Sequence, residues 1–432
     1  MKPGTRISLV ILALLTTLAP SGAEPLGRED VLTWRGDGFY LEGQRFAGIG
    51  WNKFDLYWAL WHEALDGGAL TETNAAVRKQ DATLRELRSM GFRTIRFFAS
   101  PYGRGRTFFE DPELRSVHFE ALDKAIALCA RNDIRAVVSL GCGSFSDRRH
   151  RFNEQGGIRG RILGEEHPRE LIADPESESR AALYDYLETA IPRYRNSRAV
   201  LMWEIGNELT NMADLQPGSK VYHGARMPTH AELATFYDDV ARKIKALDRL
   251  RMVVNGGSKL RPSAWNQYTN DSWKKDTYEE HVRAWELVCG EPAIDVIDVH
   301  YYAIPHGGVE LADRILTLND YVRIMEDELW KPVVIGEYGP LPVSREKKPD
   351  VHEAVDWFES YREKEIAAQW FRRAADDLVD SGVQLAWWWA YGSDRAMDKG
   401  DPGRFDVSLE RDPELVRIVA EANRRMREMY ER

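Results

Sequence analysis

Two glutamates stand directly behind short apolar runs. Glu208 closes Trp203-Glu204-Ile205-Gly206-Asn207-Glu208, and Glu337 closes Val333-Val334-Ile335-Gly336-Glu337. A carboxylate beside buried chain is costly unless it has a partner or a purpose. One such glutamate alone is well explained as a helix cap or an ion-pair partner. Two, each flanked by aromatic and glycine residues, suit a reaction that needs a proton donor and a second carboxylate at one bond. Cleavage of a glycosidic bond is such a reaction: one carboxyl protonates the leaving oxygen, and the other attacks the anomeric carbon or activates water.

Further residues of fitting type lie in similar runs. Arg96 interrupts Ile95-Arg96-Phe97-Phe98; a buried guanidinium must be paired, and a carboxylate held ionised is a natural partner. Asn207, just before Glu208, suits a hydrogen bond to a substrate hydroxyl. His300 and Tyr302 alternate in Asp298-Val299-His300-Tyr301-Tyr302 and so face one side. Trp387 and Trp389 share a face in the same way, and an indole offers a sugar ring a flat platform. Trp388, between them, is expected to pack under helices.

These groups need elements to hold them. Eight short β-rich runs recur, at 45–51, 93–99, 134–140, 200–205, 251–255, 294–300, 332–336 and 383–389. Each is nearly continuous in apolar residues, as parallel strands buried on both faces are. Helical patterns fall between them at 74–90, 117–132, 178–191, 230–247, 312–329 and 364–381, with a closing one from about 413 to 429. Strand and helix in alternation predict an α/β fold, a (β/α)8 TIM barrel. No linker of Pro, Gly and Ser divides the chain, so 24–432 reads as a single catalytic domain. In a barrel, strand-end residues such as Glu208 and Glu337 reach the C-terminal rim, where active sites sit. Two long loops rise from that rim, 141–174, rich in arginine, and 211–229. Arginines there could meet an acidic substrate, but pairing with the loop's own Glu154, Glu165, Glu166 and Glu170 is the plainer expectation.

Composition sets outer limits. With 43% apolar and 30% charged residues, the chain is neither disordered, collagen-like nor a coiled-coil rod. A net charge of −10 argues against nucleic acid or anionic lipid as the main partner. Residues 1–23 carry Lys2 and Arg6, then an apolar run from Ile7 to Leu18, then Ser21-Gly22-Ala23. That layout is a secretory signal peptide, which predicts a secreted or periplasmic protein with no membrane contact after cleavage. The three cysteines, Cys129, Cys142 and Cys289, allow at most one bridge and require none. The 14 tryptophans, against 15 phenylalanines, exceed what packing needs. Trp51, Trp58 and Trp61 are expected to extend a cleft from the first strand end, and Trp330, Trp357 and Trp370 to pack near helices.

Taken together, Arg96, Asn207-Glu208, His300-x-Tyr302, Glu337 and the tryptophans of the last strand resemble glycoside hydrolase family 5, a family of retaining (β/α)8 enzymes. The resemblance runs from Phe46 to Gly392. It implies that Glu208 is the acid/base and Glu337 the nucleophile. It further implies that Arg96 and Tyr302 orient the nucleophile, Asn207 binds a 2-hydroxyl, and Trp389 stacks under the sugar. Gly48-Ile49-Gly50-Trp51-Asn52, Trp203 to Glu208, and Trp389-Ala390-Tyr391-Gly392 are most similar to the β-mannanases of that family. Trp51, Asn52, His300 and Trp387 thereby join the expected supporting set. The chain departs where Leu209 follows the first glutamate in place of proline, and at Gly141-Cys142-Gly143-Ser144.

The resemblance implies a retaining hydrolase of plant-type β-1,4-linked polysaccharide or oligosaccharide, β-mannan first. A cellulase, β-glucanase or exo-acting β-glycosidase is the alternative, and an inactive glycan-binding barrel the non-enzymatic one. The complete set of charged residues argues against the last. No metal or other cofactor is implied, and the protein is expected to act as a monomer. Retention requires the two carboxyls about 5–5.5 Å apart. Burial and the second carboxylate are expected to raise the pKa of Glu208, and Arg96 to lower that of Glu337. His62-Glu63 lacks a second histidine at helical spacing, no Walker A motif occurs, and Gly141-x-Gly143 lacks the third glycine of a dinucleotide loop. Cys142 has no evident histidine partner, and Asn270-Asp271-Ser272 is a sequon.

Overall fold

The structure, a computed structural model, describes residues 25–101, 107–141, 168–215, 227–291, 293–303, 308–340, 364–392 and 406–431. The expected leader at 1–23, Trp357, Cys142 and most of the arginine-rich loop lie outside these residues, as does the middle of the 211–229 loop.

All eight expected runs carry strands of one parallel sheet. They are β1 (Gly48–Asn52), β2 (Thr94–Phe98), β3 (Arg135–Ser139), β4 (Val200–Glu204), β5 (Val253–Val254), β6 (Ile297–Ala303), β7 (Val333–Pro340) and β8 (Leu385–Trp388). Hydrogen bonding runs β5-β4-β3-β2-β1-β8-β7-β6. Two single parallel bridges, Val254 with Val296 and Ser258 with His300, close β5 against β6. The chain is a (β/α)8 barrel.

Side chains alternate across the barrel wall. Ile49, Trp51, Ile95, Phe97, Val138, Trp203, Ile335 and Trp388 face outward into one large core shared with the helices. Val137, Met202, Val254, Val334, Leu385 and Trp387 fill the interior. Below them sits a three-stranded antiparallel meander, Thr33–Trp34, Phe39–Leu41 and Gln44–Arg45, whose Phe39 and Leu41 join that interior cluster with Leu32 and Phe46. Arg45, expected to begin the first barrel strand, belongs to this meander instead. Gly50 makes room inside: a Cβ there would lie 2.3 Å from Thr94 Oγ1 and 2.8 Å from Trp387 Cδ1.

Helices start where side chains satisfy their free N–H groups. Asn74 caps Ala75–Ser89, Asp111 caps Pro112–Arg131, and Thr229 with Glu232 forms a capping box on His230–Leu247. Two differences from expectation have local causes. The helix expected over 312–329 begins only at Leu318, because Thr317 and Asp320 form the capping box there and a small hairpin, Val309–Glu310 with Ile315–Leu316, precedes it. The stretch around Trp58 and Trp61, expected to extend a cleft from the first strand end, is the helix Leu56–Leu65, packed closely on Pro112–Arg131.

Candidate active site

Above the apolar interior lies a layer of polar side chains. Asn52 on β1, Arg96 on β2, Glu204 on β4, Asp298 and His300 on β6 and Glu337 on β7 are all buried. A charge in such a place must find its counter-charge.

Arg96 organises the layer. Its Nε and Nη2 donate to Glu204 at 2.5 and 2.8 Å. Nη2 also donates to Asn207 Oδ1 at 2.7 Å, and Nη1 reaches Asn52 Oδ1 at 3.0 Å and Glu337 Oε1 at 3.1 Å. The guanidinium therefore spends its bidentate face on Glu204, with Glu337 as its second carboxylate. Burial, then Glu204 and Glu337, are the main influences on its basicity, and the carboxylates win, holding Arg96 charged.

Glu337 is held on both oxygens. Tyr302 donates its hydroxyl to Oε2 at 2.6 Å, and His300 Nδ1 lies 3.5 Å from Oε1. Burial, and then the neighbouring Glu208 carboxylate, push the Glu337 carboxyl up, more than His300, Arg96 and Tyr302 pull it down. The expectation that Arg96 holds it low is thus corrected: desolvation and the second carboxylate together outweigh a guanidinium that mostly faces Glu204. Burial disfavours charge on His300 as well. There, however, Glu337 and Asp298 prevail and its pKa rises to about 10, leaving it an imidazolium at neutral pH.

Glu208 sits where β4 gives way to a short helical turn, with φ of +55°. Its N–H donates to Gly256 carbonyl oxygen at 2.8 Å. His300 Nδ1 is 3.0 Å from Oε1, and Asn211 Nδ2 donates to Oε2 at 3.1 Å. One oxygen each of Glu208 and Glu337 and a ring nitrogen of His300 all lie within 4.8 Å of one another. Among the described residues these three alone could group around a cation. Arg96, 3.1 Å from Glu337, already places a fixed positive charge on this cluster, which disfavours a metal ion there.

A bulge brings Glu337 into this group. On β7, Val334 pairs with Asp298 but Glu337 pairs with His300, three residues along one strand for two on the other. Val334 points inward and Ile335 outward. Strict alternation would then send Glu337 outward. The extra residue, Gly336, resets the parity.

The other expected residues divide. Tyr302 and His300 converge on the two glutamates. Asn207 lies one step away, its Oδ1 accepting from Arg96. Asn52 supports from below: its Nδ2 donates to the carbonyls of Gly336 and Trp387, at 2.8 and 3.1 Å, and its Oδ1 takes Arg96. Trp389 is half-buried at the rim and stacked on Phe54, 5.0 Å between centroids at 9°, with Phe98 tilted at 6.4 Å. Trp387 shares its parity but is fully enclosed in the barrel interior, a correction to its expected place beside the sugar. Trp51 is corrected too: it faces outward against Phe92, Trp388 and Tyr391. Trp58 and Trp61 are buried under the helices. Trp330, expected to pack, is 85% exposed.

Sequence reasoning missed Glu204, Asp298, Asn211 and Phe54. For the first two a signal existed. Each is a charge inside an apolar strand run, as Arg96 is, and such charges are expected to pair.

An eight-stranded barrel with two carboxylates and a paired arginine at one end defines the class of (β/α)8 glycosidases. The chain belongs to glycoside hydrolase family 5: the family described as "Cellulase (glycosyl hydrolase family 5)" matches residues 64–376. Solved structures agree on the fold. A family 5 mannosidase from Rhizomucor miehei aligns with TM-score 0.59 at 14% identity, over 93% of this chain and 99% of that one. An endo-β-1,4-mannanase from Thermotoga petrophila aligns with TM-score 0.54 at 18% identity, over 89% and 77%. The exo-β-1,4-mannosidase Op5Man5 from an Opitutaceae bacterium aligns with TM-score 0.55 at 17% identity, over 91% of this chain and 63% of that one. No curated protein sequence matches the chain.

Proposed function

We propose that this glycosidase is an exported, retaining enzyme that hydrolyses β-1,4-linked mannan by double displacement. The observation that carries the reaction is the approach of Glu208 and Glu337 within 4.8 Å. That closeness of single oxygens supports a nucleophile and an acid/base at one bond; between whole carboxyl groups, retaining pairs stand about 5–5.5 Å apart and inverting pairs roughly 6.5–9.5 Å.

Glu337 attacks the anomeric carbon, and the bond to the leaving oxygen breaks as Glu208 delivers its proton to that oxygen. Water then enters, Glu208 takes one of its protons, and the remaining hydroxide displaces Glu337 from the sugar. Tyr302 and Arg96 hold Glu337 in place and spread its charge as the ester forms and breaks. Trp389 offers a ring face to the sugar, backed by Phe54, and Asn207 Nδ2 donates to a hydroxyl beside the reacting carbon. Mannan as substrate is supported by the β-mannanase-like motifs and by the named activities of the three structural neighbours. Export is supported by the leader-like residues 1–23.

The test is a panel of mannan, glucomannan, cellulose and mixed-linkage β-glucan, with products resolved by size and the first-formed anomer read by proton NMR. Mannan cleavage with a β-anomer appearing first supports the reading. An α-anomer first overturns the mechanism, and exclusive glucan cleavage overturns the substrate. Product size separates internal from terminal attack.

A further inference from the structure

Gly336, the residue that resets β7, lies at a break in the ladder, and its peptide groups need other partners. Its carbonyl accepts from Asn52 Nδ2, and its N–H donates to Asp298 Oδ1 at 2.5 Å. The fit is close: a Cβ on Gly336 would lie 2.1 Å from Asp298 Oδ2. Asp298 is 1% exposed, and its own N–H is tied to Asn255 Oδ1 at 2.7 Å. Its second oxygen lies 3.5 Å from His300 Nε2, while Nδ1 of the same ring meets Glu208 and Glu337. One buried carboxylate therefore touches the backbone ahead of Glu337 and the ring that bridges both glutamates.

We propose that Asp298 is a positioning residue of the hydrolysis: it holds the bulge that turns Glu337 inward and fixes His300 between the two glutamates. The inference rests on the assignment of Glu337 as nucleophile. The charged groups facing His300 are Asp298 from its own strand, Glu337 from β7 and Glu208 after β4. Arg96 from β2 and Lys259 after β5 act electrostatically on those two glutamates. Asp298 is thus the counter-charge at the ring nitrogen turned away from the reacting carboxyls. Without it the imidazolium loses its counter-charge, and the ring releases its proton at lower pH.

Two variants separate the roles. Asp298→Asn keeps an oxygen for the Gly336 N–H but removes the charge. It is expected to retain kcat at its optimum within about tenfold. The His300 ring, followed by NMR, should titrate at lower pH than in the wild type. Asp298→Ala loses the backbone contact as well and is expected to lose a further ~10²-fold in kcat, the scale of misplacing a reacting group by about an ångström. A His300 titration unchanged in Asp298→Asn overturns the charge role; equal kcat in the two variants overturns the backbone role. Labelling the wild type with a 2-fluoro-glycosyl inactivator, followed by peptide mapping, tests the underlying assignment separately. Label at Glu337 upholds it, and label elsewhere overturns that assignment and this inference with it.

Discussion

Arg96 binds Glu204 through two nitrogens and Glu337 through one. This asymmetry leaves Glu337 less than fully neutralised, as a group that must attack carbon and later depart should be. It also makes Glu204 the main counter-charge of a fully buried guanidinium. Breaking such a pair from one side typically costs about 3–5 kcal/mol, because the remaining charge stays buried. Glu204→Gln is therefore expected to lose stability on that scale in urea unfolding. In an Arg96→Met background the same substitution should cost much less, since no unpaired cation remains. Equal costs in both backgrounds would remove the pairing argument.

Glu337→Gln is expected to abolish nearly all turnover while still binding oligosaccharide, since shape and most hydrogen bonds survive. Glu208→Ala should slow hydrolysis by ~10²–10⁴-fold, the range for a general acid, and less for a substrate with an acidic leaving group that departs unaided. Steady-state kinetics and calorimetric titration read both. Near-wild-type turnover in Glu337→Gln would sink the assignment.

His300 carries a pH signature. Its folded pKa, about 10, lies above the ordinary 6.5, so the fold binds its proton more tightly than the unfolded chain does. The stability it contributes is fully present below about pH 6.5 and is lost as pH rises toward 10. Unfolding free energies of wild type and His300→Gln should accordingly converge across that window. A constant difference from pH 6 to 10 would show that the ring is not held charged.

Trp387 and Trp389 are two residues apart and should behave oppositely. Trp387→Ala opens a cavity in the barrel interior and is expected to cost about 3–5 kcal/mol of stability. Trp389→Ala should leave the melting temperature close to wild type and raise KM for oligosaccharide by up to ~10-fold, the equivalent of one aromatic stack of about 1.5 kcal/mol. Calorimetric melting and kinetics on the two proteins decide it.

Much of this molecule is written along the chain. Continuous apolar runs specify strands buried on both faces, and the alternation with helices leaves a barrel as the economical way to bury them. Strand-end position alone marks Glu208, Glu337, His300 and Tyr302, because in a barrel those positions converge on one rim. Partners were harder to see. Glu204 stands 108 residues from Arg96 and Asp298 stands 38 before Gly336, and the strands that bring them together meet only when the sheet closes. The tryptophans show the same limit: Trp51, Trp387 and Trp389 all look suited to sugar, yet alternation against a closed wall sends one to the helices, one to the interior and one to the rim.

Glu337 draws the line most sharply. The order of residues alone puts a glutamate at the end of the seventh strand. Simple alternation from Val334, though, would have turned it away from the barrel. What turns it inward is one extra residue in β7 relative to β6, an offset that exists only between two paired strands. Gly336 can be that residue because Asp298 and Asn52, from other strands, take up the peptide groups that the ladder leaves free.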